Sequence, residues 1–351
     1  MRYSLKFQTY QIPFKQPLKT HHGEWSVREG MLLDLRDQTG NISRGEIAPL
    51  SWFGSETLAE AQTFCAQLPT EIDRQAILEI PDRLPACQFG FESALEQLEQ
   101  FETRADLSQT SSFSNSESQT LESQTLKYSG LLPAGERMLS VLPKLVQQGY
   151  QTFKWKIAVF PIEFELSLLQ KLVRFLAEMT PVTDEILTFR LRLDANGGLN
   201  WQQANQWLKQ CDQLNNQLNN QLNNQPFYTR NRIEIEFLEQ PLPAYSFDQM
   251  QELSQSYSTS IALDESVANF LELQSCYDQG WKGIFVIKPA ILGSPRKLRQ
   301  FCQVQAGQGK PIDLVFSSVF ETEVGRRLIL RLAEDLLSSD RALGFGVNHL
   351  F

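Results

Sequence analysis

IALDES at residues 261–266, followed by IFVIKP at residues 284–289, is the pair of stretches that decides the fold. Each begins as a short apolar run typical of a buried strand, and each ends in charged residues. The pattern over residues 267–276, between them, predicts a helix. A strand, a helix and a second strand in this order predict two parallel strands covered by the connecting helix.

Outward from this pair, the same unit recurs over most of the second half of the chain. The predicted strands and helices are 152–157 with 164–179, 188–194 with 201–211, 233–239 with 247–257, 260–264 with 267–276, 283–288 with 296–307, and 311–317 with 323–337. Six such units without a G-x-G-x-x-G or G-K-[ST] loop favour a closed α/β barrel over a doubly wound nucleotide-binding fold.

The first hundred residues have a different pattern. Residues 30–37 and 43–49 alternate like two antiparallel strands, and residues 57–65 and 91–100 have helical periodicity. We therefore predict four segments. They are an α+β domain over residues 1–105, a low-complexity linker or insertion over 106–128, the barrel with the catalytic site over 129–330, and a C-terminal segment over 331–351 that packs back on the first domain.

Two tracts have biased composition. The predicted linker is rich in Ser, Gln, Thr and Glu, and it contains ESQTL twice, at residues 117–121 and 122–126. Such a segment buries too little apolar surface to offset the entropy of ordering it. A second tract repeats QLNN three times over residues 213–224, where leucines four residues apart could extend the preceding helix, although Asn disfavours helix. We interpret both tracts as tolerated insertions without function.

Composition and charge exclude several classes of protein. The chain has 351 residues and a formal net charge of -9, without a block of basic residues, which argues against nucleic acid or an anionic membrane as the main partner. The first residues contain no apolar core long enough for a signal peptide, and no apolar run approaches the roughly 20 residues of a membrane helix. Five dispersed cysteines predict reduced thiols in a cytoplasmic protein. The only histidines are His21, His22 and His349, which argues against a histidine-rich zinc site.

Charged residues end five of the predicted barrel strands, at the edge where barrel enzymes place their active sites. In chain order these residues are Lys154 with Lys156, Asp194, Glu239, Asp264 and Lys288. The last three follow one another at steps of 25 and 24 residues, which fits one residue per strand and helix unit. Any one of these residues alone could be a solvated rim charge, but the ordered set predicts a catalytic centre.

Three carboxylates that converge at one barrel mouth would repel one another unless a cation neutralised them. An all-oxygen ligand set of Asp194, Glu239 and Asp264 favours a hard ion, with Mg²⁺ as the first choice and Mn²⁺ as the second. Such an ion would stabilise the carbanion formed when a substrate carboxylate loses its α-proton. A lysine in this environment could act as the base.

This set of residues resembles the muconate-lactonising subgroup of the enolase superfamily, over nearly the whole chain apart from the two tracts. The matching features are Lys154-x-Lys156, the three carboxylates and Lys288. The resemblance implies a modified TIM (β/α) barrel with an N-terminal α+β capping domain. Within the subgroup, the chain looks most like the o-succinylbenzoate synthases. The features that carry this likeness are residues 17–18 with 22–23, RGEIAPL at 44–50, Arg192, and the SSxxETxxG pattern at 317–325.

The resemblance implies a reaction and a role for each residue. Its small carboxylate substrate is 2-succinyl-6-hydroxy-2,4-cyclohexadiene-1-carboxylate, which is dehydrated in menaquinone or phylloquinone biosynthesis. Lys156 would move the proton, Lys288 would stabilise the dienolate from the opposite face, and Lys154 would add positive charge. Further candidates are Arg192 near the carboxylates, Ser317 and Ser318 at the succinyl end, and Glu265 and Asn196 as supports for the ligands. Loops near residues 18–25 and 49–56 are expected to close over the mouth.

Other functions fit the same residues. An N-succinylamino acid racemase would use the same carboxylates and both lysines, and one active site could perform both reactions. A dipeptide epimerase usually has Asp-x-Asp beyond the last strands, where this chain has only ETE at residues 321–323. An alternative of another class is a non-catalytic, metal-stabilised binding protein. The presence of all three carboxylates together with Lys156 and Lys288 argues against it. The sequence indicates no particular oligomeric state.

Overall fold

The computed structural model of the protein describes residues 1–20, 23–110, 126–179, 187–224, 231–337 and 340–346. All three histidines and residues 111–125 of the predicted linker lie outside these ranges. None of the described helices is both long and apolar enough to cross a membrane.

The N-terminal domain is an antiparallel sheet covered by helices. Its elements are β1 (Arg2–Thr20), β2 (Gly23–Arg36), β3 (Ile42–Ile47), a 3₁₀ turn (Ser51–Phe53), α1 (Leu58–Gln67), β4 (Glu71–Asp73), α2 (Arg74–Leu78) and α3 (Pro85–Thr110). The strand order is β3-β2-β1-β4, and β1 pairs with β2 over most of its length. The sequence predicts the β2 and β3 pair but not β1, because the alternation of that strand changes phase between Phe7 and Tyr10 and is interrupted by Pro13 and Pro17.

Helix α3 packs so closely against β3 that the two backbones are in contact at Gly45 and Gly90. A Cβ on Gly45 would come within 2.1 Å of the Gly90 carbonyl oxygen, so neither element could approach the other this closely with a larger residue. The helix also continues to Thr110, which corrects the predicted start of the linker at residue 106. Tyr128, at its predicted end, already belongs to the first strand of the barrel.

Eight parallel strands form the barrel. They are β5 (Tyr128–Leu132), β6 (Thr152–Lys156), β7 (Thr188–Asp194), β8 (Arg232–Glu239), β9 (Ser260–Leu263), β10 (Ile284–Ile287), β11 (Leu314–Phe316) and β12 (Leu343–Gly346). Neighbours in sequence are neighbours in the sheet, except that β12 pairs with β5. A bridge between Ser317, just after β11, and Gly344 of β12 brings the two edges together.

This arrangement corrects the prediction for residues 331–351. The described residues of this range belong to the barrel and do not form a separate segment on the first domain, because residues 331–336 continue the last helix and β12 is the eighth barrel strand. That helix does reach the first domain at its beginning, where Glu46 of β3 accepts hydrogen bonds from Thr322 and Gly325.

Of the described helices that cover the barrel, six begin within three residues of a predicted helix, and two, at Arg137–Gln147 and Pro289–Leu292, are not predicted. The eight described helices are α4 (Arg137–Gln147), α5 (Ile162–Glu178), α6 (Trp201–Asn224), α7 (Phe247–Ser256), α8 (Phe270–Asp278), α9 (Pro289–Leu292), α10 (Pro295–Gly307) and α11 (Glu323–Leu336). The main difference follows β9, where a 3₁₀ turn over Glu265–Val267 replaces the predicted start of a helix.

The QLNN tract extends α6 to Asn224, as its leucine spacing allows. It is not a neutral insertion throughout, because the side chain of Leu214 is buried and Asn215 contacts the sheet. The Asn215 amide exchanges two hydrogen bonds with the backbone of Ile235, at 2.9 and 3.1 Å, beside an irregularity in the register of β7 and β8. The first turn of the tract therefore completes the hydrogen bonding of a barrel strand.

Candidate active site

The predicted site residues face the inside of the barrel because of the two-residue period of a strand. Phe237, Ala262 and Val286 belong to a small apolar cluster separate from the main core, as expected for the barrel interior. The residues two positions later therefore share the inner face at the carboxyl ends of the strands. These residues are Glu239, Asp264 and Lys288.

Lys154 joins two of the three carboxylates. Its Nζ lies 2.6 Å from Oε1 of Glu239 and 2.9 Å from Oδ2 of Asp194. Burial alone would lower the pKa of Lys154, but the charges of Asp194 and Glu239 outweigh burial and raise it well above the ordinary value. Lys154 is therefore a fixed positive charge, which is unsuited to accept a proton near neutral pH.

Lys288 stands across the barrel from Lys154 and Lys156, because β10 and β6 are four strands apart in a ring of eight. Its ammonium pairs with Asp264. It also lies 3.6 Å from the centroid of the Phe53 ring, which the N-terminal domain contributes. The loop over residues 49–56 thus reaches the mouth, where Phe53 covers the ammonium group.

Lys156 differs from the other two lysines. It lies at the end of β6 opposite Asp194 in the β7 register, and it is half-buried. Among the residues that the structure describes, its ammonium has no hydrogen bond or ion pair. Of the three lysines, Lys156 is therefore the one whose ammonium is not already engaged by the protein.

Residues next to the carboxylates hold the strand ends in place. The Asn196 backbone N–H donates to Asp194 Oδ1 and its side chain donates to Glu265 Oε1, both at 3.1 Å. Burial and the charge of Asp264 raise the pKa of Glu265, whose other oxygen is buried without a hydrogen bond from a described residue. Sequence reasoning missed Gln240, whose Oε1 accepts the N–H groups of Asp264 and Ser266, at 2.9 and 3.2 Å.

The residues present fit a divalent cation. The Lys154 ammonium is shared between Glu239 and Asp194 and cannot neutralise both. Burial and the negative charge of Asp194 therefore still raise the pKa of Glu239. The buried Glu265 oxygen adds to this excess of negative charge. Within the described ranges, no three His, Cys, Asp or Glu side chains lie close enough together to hold a metal ion. Glu239 pairs with Lys154 and Asp264 pairs with Lys288 instead. All-oxygen donors with excess negative charge suit a hard ion.

Two of the residues predicted to contact the substrate have buried protein partners in the structure. Arg192 does not reach the mouth, because its guanidinium pairs with Glu236 at 2.7 Å and donates to the carbonyl of Ala342, before β12 begins. Burial alone would raise the pKa of Glu236, but the positive charges of Arg192 and Arg341 outweigh burial and hold that pKa below the ordinary range. Arg192 thus belongs to a buried ionic network that extends toward the amino ends of the strands.

The second of these residues, Ser318, is buried. Its hydroxyl donates to Glu321 at 2.9 Å and accepts the N–H of Phe320 at 2.8 Å. Burial raises the pKa of Glu321 to about 7. Ser318 thus shapes the loop after β11, whereas the half-buried Ser317 remains a candidate for substrate binding.

Aromatic residues from both domains meet beside this loop. Trp25 lies 4.7 Å from Trp52 and 5.3 Å from Phe320, between ring centroids, and Phe14 packs on Trp25 and Phe320. Trp25 belongs to the predicted closing loop near residues 18–25, of which residues 21 and 22 are outside the described ranges.

Comparison with known proteins agrees with this geometry. The sequence model of a family described as MenC, N-terminal domain, matches residues 1–98, and one described as enolase C-terminal domain-like matches residues 138–314. An o-succinylbenzoate synthase from Thermosynechococcus vestitus is 35% identical over 343 residues, which cover 98% of this chain and 92% of that protein. The chain belongs to the o-succinylbenzoate synthase family.

Solved structures confirm the predicted enolase-like fold of this synthase family. The o-succinylbenzoate synthase of Thermosynechococcus elongatus BP-1, solved with magnesium in its active site, has a TM-score of 0.78 and 33% identity, and the match covers 99% of this chain and 93% of that one. A dipeptide epimerase from Methylococcus capsulatus has a TM-score of 0.75 at 18% identity, over 100% of this chain and 92% of its own. At that identity, the likeness to the epimerase concerns the fold alone.

Proposed function

We propose that this member of the synthase family is a hydro-lyase that converts 2-succinyl-6-hydroxy-2,4-cyclohexadiene-1-carboxylate to o-succinylbenzoate. The observation that carries the proposal is the unequal state of the lysines that face each other across the mouth. Lys288 is held by Asp264 and Phe53, whereas Lys156 has no polar partner among the described residues. A dehydration needs one group that moves a proton and one fixed charge, which is what this asymmetry provides.

Lys156 is the base in this proposal. It removes the proton from the ring carbon that bears the carboxylate, and the C–H electron pair moves into the ring. The same ammonium then protonates the departing hydroxyl group, so that water leaves from that face and the ring becomes aromatic. Lys288 stabilises the negative charge of the dienolate from the opposite face.

We further propose that Asp194, Glu239 and Asp264 hold Mg²⁺, with Mn²⁺ as a possible substitute. When bound, the ion would stabilise the negative charge that develops on the substrate carboxylate. Lys154 reduces the repulsion between two of these ligands, and Asn196 and Gln240 hold the backbone that carries them. Magnesium in the related synthase structure supports this choice of ion.

We propose that this reaction belongs to menaquinone or phylloquinone biosynthesis, and the match to the MenC N-terminal domain supports this proposal. We propose a cytoplasmic enzyme that acts on this small molecule and has neither nucleic acid nor membrane as a partner. Its net charge of -9 and its five free cysteines support this part of the proposal.

Two charge-preserving variants test the assignment. Arginine keeps a positive charge but is a poor base, because its pKa lies above about 12. Lys288→Arg should retain measurable dehydration, whereas Lys156→Arg should lose nearly all of it. Racemisation of an N-succinylamino acid requires a base on each face, so either variant should abolish that activity. Equal loss of dehydration in two folded, metal-loaded variants would contradict the role of Lys156 as the sole base.

A further inference from the structure

The turn after Lys156 is held by a side chain that no step of the proposed reaction uses. Glu165, in the first turn of α5, accepts hydrogen bonds from three successive backbone N–H groups, those of Ala158, Val159 and Phe160, at 2.8, 3.0 and 3.0 Å. Its side chain is almost fully buried, at 1% exposure. Three charge-assisted hydrogen bonds to one buried carboxylate make a rigid attachment between the helix and the turn.

The backbone of this turn has an unusual conformation. Ala158 has a φ of 61°, in the left-handed region that costs a residue with a Cβ on the order of 1 kcal/mol or more. The turn also has little space, since a Cβ on Gly198 would come within 3.0 Å of the Ala158 Cβ. The hydrogen bonds to the Glu165 carboxylate therefore offset part of the cost of the left-handed conformation at Ala158.

The chain between Lys156 and this turn is also fixed. The N–H of Ile157 donates to the carbonyl of Asp194 at 2.9 Å, which joins the end of β6 to the first proposed metal ligand. The backbone of Lys156 is thus held from the barrel side by β7 and from the helix side by Glu165. No polar contact of a described residue orients its ammonium, so the position of the backbone decides where the amine can reach.

We propose that Glu165 is a positioning residue for Lys156, which sets the distance between the amine and the proton that it removes. This inference rests on the proposed function, since it takes Lys156 as the base. Proton transfer is sensitive to such distances, and a misplacement of about 1 Å can lower turnover by roughly 100-fold. Substrate binding through the metal and the opposite face should depend much less on Glu165.

The test is Glu165→Gln, with Asp212→Asn as the matched control. Asp212 has the same kind of role at the far end of the barrel, where it accepts the N–H groups of Ser258 and Thr259, at 2.9 and 2.7 Å, just before β9 begins. Both substitutions turn an amide NH₂ toward backbone donors. Each should therefore weaken the fold, but only Glu165→Gln should affect Lys156.

The readouts are kcat and KM for dehydration at a temperature where both variants are fully folded, and the kinetic isotope effect with substrate deuterated at the abstracted position. For Glu165→Gln we expect kcat to fall by about 10- to 100-fold, with KM within about threefold of the parent value and an isotope effect no smaller than that of the parent. Asp212→Asn should keep the parent kcat. The inference is overturned if kcat of folded Glu165→Gln stays within threefold of the parent or falls equally in both variants.

Two further variants keep the result interpretable. If Glu165→Gln does not fold, the substitution is repeated in an Ala158→Gly background, because glycine adopts the left-handed conformation without strain and so offsets part of the lost stability. A kcat equal to that of Ala158→Gly alone would then reject the inference, and a lowered kcat with unchanged KM would support it. Lys156→Ala tests the proposed function separately. Activity in Lys156→Ala would contradict the assignment of the base, whereas an inactive Lys156→Ala beside a fully active Glu165→Gln would contradict only the role of Glu165.

Discussion

Replacement of Lys154 by methionine should make the stability of this protein depend strongly on magnesium. The Lys154 ammonium contacts Asp194 and Glu239, and the exposed fractions of these three side chains are 16%, 9% and 1%. Methionine resembles the lysine stem in shape but carries no charge. Lys154→Met therefore leaves two adjacent buried carboxylates without their positive partner, while the three proposed metal ligands remain.

The size of the effect follows from this burial. Removal of one partner from a buried ion pair typically costs about 3–5 kcal/mol, because the other charge remains uncompensated. A ligand that binds only the folded state at 100 times its dissociation constant restores about 2.7 kcal/mol. The variant also loses a positive charge that repels the ion, so Mg²⁺ should stabilise Lys154→Met more than it stabilises the parent.

The assay is urea unfolding of parent and variant in chelator and in a series of Mg²⁺ concentrations. In chelator, the unfolding free energy of Lys154→Met should lie about 3–5 kcal/mol below that of the parent, and the difference should shrink as Mg²⁺ is added. The control is Lys171→Met, which breaks an exposed pair with Glu136 and should change stability by about 0–1 kcal/mol at any Mg²⁺ concentration. A difference that is the same in chelator and in saturating Mg²⁺ would refute the coupling between Lys154 and the ion, and a lack of stabilisation by Mg²⁺ in both proteins would refute the proposed metal site.

Two smaller predictions concern contacts that hold the fold together. Asn215→Ala should lower the unfolding free energy by about 1–3 kcal/mol, because two backbone groups of Ile235 lose their partner. The control is Asn216→Ala, at the exposed neighbouring position, and an equal loss of stability in that variant would contradict the argument. Glu46→Gln should lower the thermal midpoint by several degrees, corresponding to about 1–3 kcal/mol, because its carboxylate accepts hydrogen bonds from Tyr10, Thr322 and Gly325. An unchanged calorimetric midpoint would show that this contact between the domains contributes little.

Most barrel strands can be predicted from the sequence because each is a short apolar run that stops at a charged residue. Four described strands lack that signal and are missed, namely β1, β4, β5 and β12. The reasons are clearest for β1 and β12. β1 is long, and many of its residues are polar and exposed. β12 is four residues with two glycines, LGFG, and the strand with which it pairs, β5, is far away in sequence.

The charged strand ends can be predicted for a similar reason, since the period of a strand fixes which face a side chain occupies. The period does not fix toward which end of the barrel a long side chain extends. Arg192 is predicted on the inner face correctly, but Glu236 and Ala342 draw its guanidinium away from the mouth. The positions of Glu165 and Gln240 depend on how helices and turns pack, which no local pattern of the sequence records.

The pairing of β12 with β5 has a consequence for the synthesis of this protein. Ser129 and Leu343, which are hydrogen-bonded in the finished barrel, are 214 residues apart in the chain. Until the ribosome has released residues 343–346, β5 has an unpaired edge, and the bridge from Ser317 has no partner strand. Exposed strand edges can pair with those of other chains, and contacts so distant in sequence form slowly. β12, the last of the described barrel strands to be translated, thus ends the period in which the nascent barrel is most prone to aggregate.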